Sequence, residues 1–219
     1  MGTLTGLVMD RSLLDPGRGA GGGAPGGPHP HRPAVIDCLV THHPHLPRDH
    51  MGHRLSTSGR ALIIGAVAEV YGLGITARDL TRDTHKRWRV PAHGLTVSVA
   101  HCDSYSAVAL SADPLNIGVD LQDERDRPAA MQWLGALLGR RQPAVIRDFA
   151  ECEALIKASH LTKETFAGVR LPAWRPGWRP TNVASYQVRS SVVGPRMHLA
   201  LAADAPALVR MNTPTLEPA

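Results

Sequence analysis

Residues 95–122 read LTVSVAHCDSYSAVALSADPLNIGVDLQ. Leu95–Ala100 and Ser106–Ser111 read as two strands separated by a turn, from their alternation of apolar with small or polar side chains. Pro114 interrupts the chain, and Ile117–Leu121 reads as a third strand. On a strand, residues i and i+2 share a face. Asp120 and Gln122 therefore stand side by side, with Val119 and Leu121 directed into a core.

Outward from this stretch, Ala34–Thr41 is a plausible strand. Ser56–Tyr71 is a helix, with Leu62, Ile63, Val67, Val70 and Tyr71 at helical spacing and Gly72 and Gly74 as the stop. Toward the C-terminus, Ala129–Leu138 and Val145–Ser159 read as helices on either side of Pro143. Residues 172–181 (PAWRPGWRPT) form a Pro/Trp/Arg loop, and Ala184–Ala202 alternates as a hairpin turning at Gly194-Pro195. The order β–α–β–β, then β–α–α–β–β, predicts an α+β fold of two similar halves related by a pseudo-twofold. Each half is a small, mostly antiparallel sheet packed with a long helix. The halves are residues 34–112 and 113–219, and the duplication rests on element order, since no sequence repeat accompanies it. Residues 1–33 precede them. Their Gly/Pro-rich part, 16–33, buries little and is expected to be disordered.

With 219 residues and 43% apolar side chains, the chain has material for a sizeable core. A formal charge of +5 and a pI near 9.6 favour anionic partners: nucleic acid, phosphate-rich cofactors or acidic proteins. The basic residues are nearly all Arg. Lys86, Lys157 and Lys163 are the only lysines, so each is an informative choice. Cys38, Cys102 and Cys152 are scattered and odd in number, which argues against a disulfide framework and for a reducing compartment. No signal peptide and no run of transmembrane length is visible, so the expectation is a soluble cytoplasmic protein.

Three segments carry candidate chemistry. Asp120 and Gln122 offer an oxygen pair suited to a hard cation such as Mg²⁺, or form an ordinary solvated strand end. Gly118 leaves room for a ligand to approach the backbone. In Phe149-Ala-Glu-Cys-Glu153-Ala-Leu-Ile-Lys157, Glu153 and Lys157 share a helix face. They are either a surface ion pair or a metal-holding carboxylate with a phosphate-holding ammonium. Glu151, two residues before Glu153, points well away from it. His101, at a strand end, is a phosphate contact or a plain surface side chain.

Taken in order, a strand ending in His101, the G-V-D-L strand and the F-x-x-x-E-A-x-x-K helix resemble the 4′-phosphopantetheinyl transferases. The likeness is to the larger monomeric class that serves polyketide and nonribosomal peptide synthases, and its motifs run from Arg54 to Lys157. The resemblance implies an enzyme of the holo-[acyl-carrier-protein] synthase type. It implies Mg²⁺-dependent transfer of phosphopantetheine from coenzyme A to a serine of an apo acyl or peptidyl carrier protein with an acidic surface. The product is 3′,5′-adenosine bisphosphate. Asp120, Gln122 and Glu153 then correspond to metal ligands, and Glu153 and Lys157 to catalytic groups. Arg54, Ser56, Lys86, His101 and Lys157 correspond to coenzyme A contacts. A monomer is implied, acting on neither nucleic acid nor membrane.

The sequence departs from the family pattern at Gln122 (usually Glu), Ala100 (Ser), Cys152 (Lys) and Phe149 (Trp). Ala158-Ser-His-Leu-Thr-Lys163 stands where a Gly-x-Gly often follows the helix. Gln122 removes one negative charge and implies weaker metal affinity, or a water in that coordination position. Two other classes compete with an active transferase: a relative that binds coenzyme A or a carrier without turnover, and a basic nucleic-acid-binding protein. A metal site among His42, His43, His45, His50 and His53 lacks any metal-type spacing.

Overall fold

The computed structural model describes residues 32–42, 52–194 and 196–212, with side chains from residue 59 onward in the second stretch. The chain runs β1 (Val35–His42), α1 (Gly52–Tyr71), β2 (Thr81–Arg82), β3 (Trp88–Val90), a 3-10 turn at Pro91–His93, β4 (Leu95–Cys102), β5 (Tyr105–Ser111) and β6 (Ile117–Asp123). It continues through α2 (Pro128–Leu137), α3 (Ile146–Ala158), β7 (Arg179–Pro180), β8 (Gln187–Val192), β9 (Met197–Ala203) and β10 (Leu208–Asn212). The fold is α+β. The Gly/Pro-rich segment expected to be disordered lies outside the described residues as far as residue 31, as does Pro195 of the hairpin turn.

The first sheet has the order β10-β1-β5-β4-β3-β2 and the second β6-β9-β8-β7. All pairings are antiparallel except β1 with β10. β10 is the element that returns from the end of the chain to the first sheet. It was not anticipated from sequence, nor were β2, β3 and β7.

Strand alternation sorts the core into layers. Leu39, Val97, Val108 and Leu110 pack against Ile63, Ala66 and Val67 of α1. The opposite faces of β1 and β5 supply Ile36, Cys38, Val40, Ala107 and Ala109. These join Ile117, Val119, Leu121, Leu199 and Leu201 of the second sheet in one apolar cluster. The other face of the second sheet, through Val188, Ala200 and Ala202, packs on Ala150, Ala154, Leu155 and Ala158 of α3. The layers are therefore helix, sheet, sheet, helix. The three cysteines are buried and free. Burial first, and Asp37 second, push the Cys38 thiol up to about 12, so it behaves as a small apolar side chain.

The small residues of α3 let it lie close to β6. A Cβ on Gly118 would run into the carbonyl oxygen of Ala154 and stand 2.7 Å from the amide nitrogen of Ala158. The space that the sequence reading kept for a ligand at Gly118 is filled by α3 itself. This close approach brings the last turn of α3 within reach of the β6 backbone.

Candidate functional site

Alternation along β6 puts Val119 and Leu121 in the core between the sheets and turns Asp120 and Gln122 toward α3. The two are joined as expected from their spacing, with Gln122 Nε2 donating to Asp120 Oδ2 at 2.7 Å. Gln122 Oε1 accepts from Arg127 at 3.1 Å, and Arg127 also donates to Asp123 at 2.9 Å.

Lys157, in the last turn of α3, meets the other oxygen of Asp120. Its ammonium donates to Asp120 Oδ1 at 2.8 Å, to the Val119 carbonyl at 2.9 Å and to the Val99 carbonyl at 3.4 Å. It thus bridges β4 and β6, the strands where the two sheets meet. The Asp120 side chain is nearly sealed, 7% exposed, while Lys157 remains 31% exposed. The open side of Lys157 faces a cavity.

That cavity has a volume of about 560 Å³. Lys86, Lys157 and Lys163, all the lysines of the chain, line it together with Arg82, Arg87 and His160. One lip is the segment 82–88. Asp83 organises it by accepting from the backbone of His85 at 2.9 Å and of Arg87 at 3.0 Å, and from Arg87 Nε at 2.7 Å. Burial alone would raise the Asp83 carboxyl, but the Arg87 bonds outweigh it and hold the group below the usual carboxylate range. Arg87 also donates to the Ala158 carbonyl at 3.0 Å, which ties this lip to the end of α3. Arg82 stacks on Trp88 with 4.2 Å between guanidinium and ring. Lys86 holds a left-handed backbone, φ 64°, a strained conformation for a side-chain-bearing residue at the lip of a basic cavity.

Glu153 lies one turn before Lys157, and its ion partner is Lys163 at 3.7 Å, on the opposite lip. His101 is exposed on β4, two residues beyond Val99 on the same strand face, and lies outside the cavity lining. It stands near Gly59 of α1. Arg54 and Ser56 fall within α1, and their side chains lie outside the described residues. His43, His45 and His50 also lie outside them, while His42 stacks on Tyr105 at 4.6 Å. The structure therefore joins Asp120, Gln122 and Lys157 directly and brings Lys86 to the same cavity. Glu153 meets it through Lys163.

The sequence reading missed Lys163 and His160 as cavity residues. The departure from Gly-x-Gly at 158–163 was their visible signal. It placed Glu151 correctly, since that side chain is fully buried against Arg179. No family model matches this chain, and no curated protein matches it.

Among the described residues, no group of three His, Cys, Asp and Glu side chains forms a metal site. Asp120 and Gln122 are neighbouring oxygen-bearing groups of the type a hard cation takes, while the Glu153 carboxylate on α3 faces Lys163. The Lys157 ammonium already occupies a cation position on Asp120. Gln122 would offer oxygen only by turning its amide away from Arg127. No helix among the described residues is long and apolar enough to cross a membrane.

Proposed function

We propose that this protein transfers the 4′-phosphopantetheine group of coenzyme A to a serine of an acyl or peptidyl carrier protein. The observation that carries the reading is that all three lysines line one cavity beside the Asp120–Lys157 pair. In a chain whose cations are otherwise arginine, this matches a ligand with several phosphates, and coenzyme A carries a pyrophosphate and a 3′-phosphate. Compact ammonium groups suit such point charges.

Lys157 reaches a phosphate oxygen by exchanging its weakest contact, the 3.4 Å bond to Val99, while Asp120 and Val119 keep it in place. Lys86 and Arg87 hold the remaining phosphates from the opposite lip. The carrier serine oxygen forms a bond to the β-phosphorus. The bond from that phosphorus to the bridging oxygen breaks, and 3′,5′-adenosine bisphosphate leaves. Glu153 accepts the serine proton once a phosphate draws Lys163 away from it. Positioning and charge neutralisation supply most of the rate in such a transfer. When bound by Asp120, Gln122 and Glu153, Mg²⁺ would withdraw charge from the pyrophosphate.

The strand orders support two like halves. β1-β5-β4-β3 in the first sheet is matched by β6-β9-β8-β7 in the second, each with its helices inserted after the first strand. A pseudo-twofold within one chain fits a cytoplasmic monomer whose site lies at the seam.

The test is the intact mass of an apo carrier protein after incubation with this protein, coenzyme A and Mg²⁺. The expected result is a gain of one phosphopantetheine, lost with Glu153→Gln and Lys157→Ala. Coenzyme A binding without any mass gain would favour the relative without turnover, and neither binding nor gain would overturn the reading.

A further inference from the structure

At the N-terminal end of α3, away from the lysine-lined cavity, a second hollow of about 450 Å³ lies between Arg140, Arg141, Val145 and Arg147. Its one carboxylate, Asp148, is buried and already engaged. It accepts from Arg140 at 2.6 Å and from the Val145 backbone at 3.0 Å. The charge presented to solvent is therefore positive. Arg141 is exposed and, among the described residues, is the free cation of the hollow's mouth, whereas Arg147 lies 3.8 Å from Asp148 and 3.9 Å from Glu151 with its Nε buried.

The rim is apolar. Val145 is 50% exposed and Trp174 is 51% exposed, with the Arg147 guanidinium 5.6 Å from the Trp174 ring centre. Arginine forks recognise carboxylates in pairs, and Trp and Arg are the residue types that dominate binding at protein interfaces.

We propose that this hollow docks an acidic protein surface. Under the function proposed above, on which this inference rests, that surface belongs to the carrier. Residues 147 and 157 are separated by about 15 Å along α3, so one small protein can contact the arginines while its serine reaches the cavity end. A short cluster around one hollow with an apolar rim fits a protein better than a nucleic acid, which calls for a longer basic stripe. Arg141 is the residue to change, because Arg140 also holds the start of α3 through Asp148.

The experiment is steady-state transfer at varied carrier and varied coenzyme A, with Arg141→Glu, Arg141→Lys and Trp174→Ala beside the parent protein. Arg141→Glu is expected to raise the carrier KM about tenfold with the coenzyme A KM unchanged. Trp174→Ala should raise the carrier KM as well, and Arg141→Lys, which keeps the charge but loses the fork, should raise it less than Arg141→Glu. An unchanged carrier KM in Arg141→Glu, or an equal rise in both KM values, overturns the docking surface and leaves the function standing. Salt-sensitive binding of a single-stranded oligonucleotide that Arg141→Glu abolishes, with the carrier KM intact, also overturns it. Absence of transfer by the parent protein overturns both proposals together.

Discussion

Helix α3 contributes one member to each of two carboxylate–cation pairs, and the pairs are built differently. Glu151 meets Arg179 of β7, and both side chains are sealed, at 0% and 1% exposure. Ser190 donates to the same Glu151 oxygen at 2.6 Å, and Arg179 reaches the Ser190 hydroxyl at 3.2 Å. Lys157 meets Asp120 of β6, and only the carboxylate is sealed. The closed pair has no face left for a ligand. The open pair presents a cation to a basic cavity while its carboxylate is satisfied from behind. The first fixes α3 against the second sheet, and the second uses the position so fixed.

Breaking the closed pair is expected to have the largest effect on stability. Glu151→Ala leaves the Arg179 guanidinium buried and unpaired, at a cost of about 3–5 kcal/mol. The double variant Glu151→Leu with Arg179→Met removes both charges and should lose less than Glu151→Ala alone. Urea unfolding of the three proteins measures the difference. A double variant no better than the single one would mean that the pair is not the reason for the cost.

A smaller loss should come from the contact that brings the two pairs to one helix. Gly118→Ala drives a methyl into the α3 backbone at Ala154 and Ala158. Overpacking of this kind costs about 1–3 kcal/mol. Because α3 must move off β6, the variant should also weaken coenzyme A binding. Stability lost with unchanged binding would show that the open pair tolerates displacement of α3.

The smallest effect concerns the lip that closes over the open pair. A carboxyl depressed in the folded state contributes stability above its unfolded pKa, about 3.9 for Asp, and loses it as pH falls through the lower folded value. Asp83 is such a group, held down by Arg87. The parent protein should therefore lose a stabilising contribution below about pH 4 that Asp83→Asn lacks. Acid titrations followed by tryptophan fluorescence compare the two, and identical acid limbs would exclude Asp83 as the organiser of the lip.

Elements with a strong period were legible in the sequence. The reading found β1, β4, β5, β6 and all three helices to within a few residues, and alternation alone put Asp120 beside Gln122 and away from the core. Helical spacing separated Glu151 from Glu153, and the two do face different surroundings. β2, β3 and β7 are two or three residues long and carry no period to detect. β10 is a five-residue strand whose partner, β1, lies at the other end of the chain, so its pairing is a purely tertiary event. The same limit applies to the site. Lys86 and Lys157 are far apart in sequence, and only the packing of α3 on β6, with Lys157 reaching Val99 of β4 and Arg87 reaching Ala158, brings them to one cavity. Gly118 was singled out for the right property, room at the backbone, but the occupant is a helix.

The most direct test of the open pair is a calorimetric titration of coenzyme A into the parent protein and into Lys157→Met. The account predicts binding by the parent protein and a loss of about tenfold or more in the variant, the worth of one hydrogen bond to a charged group, with Glu153 and the closed pair left in place. Equal affinity in the two proteins would contradict it.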